Sequence, residues 1–114
     1  MSKIGEKMTC KIWSGEMLGV SIGATKRSKH FRKRHEDIVI EIEGQYCKVN
    51  RHKTFWSTCP EIRVAENKNG FNVLSDWISR HNLLPQNRSL QEKGKIDTVT
   101  LEVIEPFQRF RLSL

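Results

Sequence analysis

Three cysteines and four histidines in 114 residues raise the question of a metal site first. Zinc needs thiolates and imidazoles at short spacing. The nearest arrangements here are His30-x4-His35 and Cys47-x4-His52 followed by Cys59; there is no Cys-x-x-Cys, and Cys47 falls on a strand face expected in the core. A core thiol and surface histidines explain the same residues, so no metal and no cofactor are expected. Cys59 stands where a helix would start, and a helix dipole with neighbouring bases favours a thiolate. Pro60 follows it directly, however, and no histidine can be placed beside it. Glu41 and Glu43 beside Lys48 are the only local carboxylates for the Mg2+ of a nuclease, and cross-strand ion pairing accounts for them better. With no catalytic set assembled, the chain reads as non-enzymatic.

Charge is the unusual property. Lys26 to His35, KRSKHFRKRH, sets Lys26, Arg27, Lys29, Arg32, Lys33 and Arg34 beside His30 and His35 without one acid, and supplies six of the chain's net charge of +7. Such a density repels itself unless an anion neutralises it. Phosphates call for Lys and Arg presented together, and Arg51, His52 and Lys53 add a second basic patch directly before Phe55-Trp56. Those aromatics either stack bases and wedge grooves or pack beneath a sheet. The expected function is therefore a small basic nucleic-acid-binding protein, with DNA preferred over RNA, gripping phosphates through Lys26, Arg27, Lys29, Arg32, Lys33, Arg34, Arg51, His52 and Lys53. The alternative is a protein-interaction module, such as a phage or mobile-element accessory or antagonist of a host nucleoprotein complex, turning the same basic face to an acidic protein. A solvated basic loop is the plainest account of all. No helix-turn-helix spacing, zinc finger or aromatic RNA-recognition motif is present in the sequence.

The length suits one domain over residues 1–114, with a basic mobile segment at 24–36. Apolar runs such as Ile38-Val39-Ile40 are too short for a bilayer. MSKIGEKMTCKIW carries Lys and Glu where a signal peptide needs an unbroken apolar core. Cys10, Cys47 and Cys59 are odd in number and widely spaced, which fits reduced thiols in a cytoplasm.

Residues 8–13 and 17–23 alternate apolar with small or polar residues around Ser14-Gly15-Glu16, the pattern of a hairpin. Leu18, Val20 and Ile22 share one face of its second arm; Gly19, Ser21 and Gly23 leave the other thin, as at a bulge or a close backbone approach. The basic decade has one large apolar residue, Phe31. A helix there would have no stripe to bury and would set Lys29 against Lys33, so a mobile loop, or a helix completed on binding, is expected. IVIEIEGQYCKVN, residues 38–50, is a second hairpin. With a turn at Gly44-Gln45, Ile42 faces Cys47, Ile40 faces Val49 and Glu41 faces Lys48. Thr54, Ser57 or Thr58 is placed to cap a short helix with Pro60 and Glu61 in its first turn, broken by Lys68-Asn69-Gly70. Leu74, Trp77, Ile78 and His81 have helical spacing between an Asn72 cap and a Pro85 stop. After a polar loop over 85–95, a third hairpin pairs Val103 with Phe110, Leu101 with Leu112 and Glu102 with Arg111. The expected fold class is α+β: a mainly antiparallel sheet or partial barrel built from three hairpins, with one or two helices packed on it.

Two resemblances accompany these residues. FWSTCPEIR, DWISRHNLLP and the closing RFRLSL, within residues 38–114, are similar to small uncharacterised bacterial proteins with a Phe-Trp, Thr-Cys-Pro-Glu segment, a likeness that implies no function. GFNVLSDWISRHNLL, GKIDTVTLEVIE and RFRLSL resemble the last third of B3-type DNA-binding pseudobarrels, where a Gly-aromatic helix precedes a Gly-Asp turn and two closing strands. Phe71 stands at the aromatic position, whereas Gly94 and Asp97 are not adjacent.

Overall fold

Alternation of apolar residues, Val99, Leu101 and Val103 and then Phe110 and Leu112, puts five side chains on one face of the third hairpin, and all five are buried. It joins β7 (Thr98–Glu105) to β8 (Arg109–Ser113) with the expected pairs Leu101–Leu112, Glu102–Arg111 and Val103–Phe110. The structure is a computed structural model that describes residues 2–14, 18–32, 37–50, 55, 61–81, 83 and 98–114. The first hairpin likewise forms, from β1 (Lys7–Ser14) and β2 (Leu18–Ser21), with Ile12 opposite Val20. β1 also lies antiparallel to β7, which seats Met8 against Leu101 and Cys10 against Val99.

The middle hairpin, β3 (Val39–Ile42) and β4 (Gln45–Asn50), differs in its turn. The turn residues are Glu43 and Gly44, with φ of 50° and 82°, the left-handed pair that matches strand twist. Ile40 consequently faces Cys47 and Glu41 faces Tyr46, two residues out of the expected register. Because side chains alternate with period two, this shift changes every partner and no face: Ile40, Ile42, Cys47 and Val49 all remain in the core. Glu41 does not meet Lys48. β8 runs parallel to β3 and places Arg111 opposite Glu41 instead, with Nε 3.3 Å from Oε2.

The expected helix after Pro60 is not formed. Residues from Glu61 onward make two short strands, β5 (Glu61–Ile62) and β6 (Val64–Glu66), because this stretch pairs on both sides, Val20 with Ile62 and Val49 with Ala65, and buries Ile62 and Ala65. Thr54, Ser57, Thr58 and Pro60 lie outside the described residues. The strand order is β5-β2-β1-β7-β8-β3-β4-β6, antiparallel except between β3 and β8. Its two ends, β5 and β6, are separated in sequence by Arg63 alone, so the edges meet and the sheet curls into a nearly closed barrel. Gly19 lies at that seam, where a Cβ would stand 2.7 Å from the Ile62 carbonyl oxygen. The thin face of β2 therefore serves a close backbone approach.

Two helices complete this α+β fold. α2 (Val73–Arg80) starts at Asn72, whose Oδ1 accepts from the Ser75 and Ala65 N–H groups, and it buries Leu74, Trp77 and Ile78 against β6, β2 and β3. α1 (Ala24–His30) occupies the basic segment. Of the two expectations for this segment, a mobile loop or a helix completed on binding, the loop is corrected over residues 24–30 for three physical reasons. The helix ends at His30, so Lys33 lies beyond it and the Lys29/Lys33 repulsion does not arise within it. Its cations gather in the last turn, where the helix dipole favours them. Its anchor is Phe31 at the C-cap, buried edge-on to Phe55 and stacked 4.8 Å from Phe110. Among the described residues no helix is long and apolar enough to cross a membrane.

Candidate nucleic-acid interface

Strand alternation in β1 sends Met8, Cys10 and Ile12 inward and Lys7, Thr9 and Lys11 outward. α1 lies beside this outer face, where the Lys26 Nζ donates to the Thr9 carbonyl and the Lys29 Nζ to the Glu6 carboxylate. Between them is a shallow cleft of about 350 Å³ whose lining includes Lys7, Lys26, Lys29, Thr9, Thr25 and Glu6. The hydrogen bond from Lys29 holds the Glu6 carboxyl below its ordinary range. Three ammonium groups against one carboxylate in the lining leave the cleft positive, and both members of the Lys29–Glu6 pair remain partly in water, where such a pair contributes little to stability.

The nine expected phosphate contacts divide accordingly. Lys26 and Lys29 join the cleft. Arg27 turns inward and donates from Nη1 to the Phe55 carbonyl at 2.8 Å, and Arg32 lies 3.8 Å over the Phe107 ring in the β7–β8 turn, so these two serve first to fasten the segment to the barrel. Lys33, Arg34, Arg51, His52 and Lys53 lie outside the described residues. Lys7 and Lys11 belong to no charge run; the alternation of KMTCK is the signal that places them on one outward face. Phe55 is core, while Trp56 lies outside the described residues.

At the last residue of α1, His30 is 2% exposed, its Nδ1 2.9 Å from the Ser2 hydroxyl and its Nε2 3.7 Å from the Glu6 carboxylate. That arrangement favours a proton on Nε2, with Nδ1 accepting from Ser2. Burial pushes the His30 pKa below its ordinary 6.5, Glu6 opposes this in part, and Lys29 and the amino terminus add to it. The unfolded chain thus takes up the His30 proton at a higher pH than the folded one. Stability from this cluster should be whole above pH 6.5 and decline as pH falls below it, whereas Glu6, whose pKa is lowered from 4.5, yields its share only below that value. Urea midpoints should fall between about pH 7 and pH 5.5, and His30→Gln should flatten that decline. An equally steep decline in the variant would assign the effect to another group.

The other chemical candidates are occupied structurally. Burial raises the Cys10 thiol to about 11 and raises Cys47 as well, so neither is a thiolate at neutral pH. Cys59 lies outside the described residues. Glu43 holds Arg80 and His81, and Glu41 holds Arg111. Among the described residues no three His, Cys, Asp or Glu side chains come together as metal ligands. Compared with protein-family models, curated proteins and solved structures, the chain finds no match.

Proposed function

We propose that this protein is a non-enzymatic nucleic-acid-binding domain that contacts phosphates through the α1–β1 face. The carrying observation is the solvent-open cleft lined by Lys7, Lys26 and Lys29, with Glu6, paired to Lys29, as the one carboxylate in its lining. Lys11 extends that face along β1, and the sequence carries further cations at Arg32, Lys33 and Arg34 and at Arg51, His52 and Lys53. Phosphate recognition needs such a set without demanding groove-reading side chains. The features that resemble B3-type pseudobarrels favour DNA: Gly70-Phe71 precedes α2, and β7 and β8 belong to a barrel-like sheet.

Binding of labelled oligonucleotides measured from about 50 to 200 mM salt tests this, because counterion release makes log affinity fall linearly with log salt. The combined substitution Lys7→Ala, Lys26→Ala and Lys29→Ala should make that slope shallower by about 0.9 for each duplex phosphate that is no longer neutralised. Its urea midpoint should stay near that of wild type, since none of the three side chains fills the core. An unchanged slope in the folded variant overturns the assignment. No binding by wild type at the lowest salt rejects the function, and retention of an acidic protein instead would replace it with the protein-interaction reading.

A further inference from the structure

A second concavity lies across the sheet from α1. Tyr46 points outward from the regular part of β4, beside inward-facing Cys47, and is 62% exposed. A cup of about 390 Å³ is formed by Tyr46, Gln45, Asn67, Lys68 and Asn69. This is within the usual range of ligand pockets, about 300–1,000 Å³. Its rim is prearranged: the Asn67 Nδ2 donates to the Gln45 Oε1 at 3.2 Å, while the Asn67 Oδ1 accepts from the Asn69 and Phe71 N–H groups. Cations flank the ring. The Arg109 guanidinium from β8 stands over one face of the ring, 5.9 Å from its centroid, so that a stacked base would take the other; Lys48 follows two residues along the same outward face, and Lys68 lines the cup.

An aromatic face, side-chain amides and flanking cations are what an unpaired nucleobase requires: stacking, hydrogen bonding along its edge, and neutralisation of the neighbouring phosphates. We propose that this cup takes one unpaired base of a single-stranded nucleic acid, stacked on Tyr46, with Gln45 and Asn69 at its edge and Lys68, Lys48 and Arg109 toward the adjoining phosphates. This rests on the nucleic-acid reading above and deepens it, because a duplex keeps its base faces stacked and cannot offer one to Tyr46. The two sites are also connected. Tyr46, Glu41, Arg111, Glu102 and Lys7 are successive cross-strand neighbours on β4, β3, β8, β7 and β1. Four strand spacings place Tyr46 about 19 Å along the sheet from Lys7, and Arg111 holds both intervening carboxylates.

The test compares a labelled single strand of about ten nucleotides with a duplex of the same sequence. Tyr46→Ala should weaken strand binding about tenfold or more, the size of one stacking interaction, and leave duplex binding at the wild-type level, while Tyr46→Phe keeps the strand. Tyr46 is exposed, so the alanine variant should unfold at the wild-type urea concentration. A mononucleotide should displace the strand only at far higher concentration; displacement at equal concentration assigns the cup to free nucleotides and overturns the proposal. Wild-type strand affinity in Tyr46→Ala, or equal weakening of strand and duplex, also overturns it. If Tyr46→Ala binds normally while the triple lysine variant does not, the cup alone is refuted; if wild type binds neither probe, both assignments fall.

Discussion

Trp77→Ala should lower the unfolding free energy by about 3–5 kcal/mol, the cost of removing a large buried ring and leaving a cavity behind. Trp77 is 2% exposed, and α2 sets it between the helix and the sheet with its ring 5.2 Å from that of His81. A domain of this size holds roughly 5–15 kcal/mol in total, so the loss is a large share of the margin and should bring the variant close to unfolding near body temperature. Urea denaturation followed by far-ultraviolet circular dichroism is the suitable measurement, since fluorescence changes with the tryptophan itself. A loss below about 1 kcal/mol, the level of a surface substitution, would remove Trp77 from the core and with it the docking of α2 described above.

The second large effect is expected at a residue with no side chain. Gly19→Val should cost about 2–3 kcal/mol, the upper part of the range for overpacking. The obstructing atom is the Ile62 carbonyl oxygen, 2.7 Å from the position of a Cβ, and backbone cannot swing aside as a flexible side chain can. Relief requires β2 and β5 to part at Val20–Ile62 and Ser21–Glu61, which opens the barrel at its seam. Faster hydrogen exchange at those amides, with β7 and β8 as protected as in wild type, is the expected signature. A variant as stable as wild type, with its seam amides unchanged, would show that the strands do not approach so closely.

Faces are legible in the sequence wherever one side of a strand has to be apolar. Ile40, Ile42, Cys47, Val103 and Phe110 are all buried as their alternation demands, and α2 follows from the spacing of Leu74, Trp77 and Ile78. Partners are less legible. Gly44 is expected as the first turn residue and is the second, since both Glu43-Gly44 and Gly44-Gln45 leave the apolar face intact. The strands at Glu61–Glu66 escape local reading because they exist to pair with β2 and β4, and nothing in a window around Pro60 reveals those neighbours. α1 is hidden in the same way: Glu6, Thr9 and Phe55, which take up its charges, lie 17 to 28 residues away in sequence. For the candidate site, the charge run draws attention to Lys26 and Lys29, but equally to Arg27, which faces the barrel. Lys7 needs the orientation of β1, and the Tyr46 cup needs the turn at Asn67–Gly70 brought beside β4.

The position of β7 and β8 in the strand order has a consequence for how the chain is made. They lie between β1 and β3, so on that side of the barrel the first two hairpins are joined through the last one. During synthesis, β1 and β3 must wait with unpaired backbone edges until up to about seventy further residues have emerged beyond β3, and such edges invite pairing with other chains. Contacts so distant in sequence also slow folding, because loop closure must precede the pairing that rewards it. Emergence of β7 and β8, rather than of either early hairpin, should therefore mark the moment at which the nascent chain becomes resistant to protease.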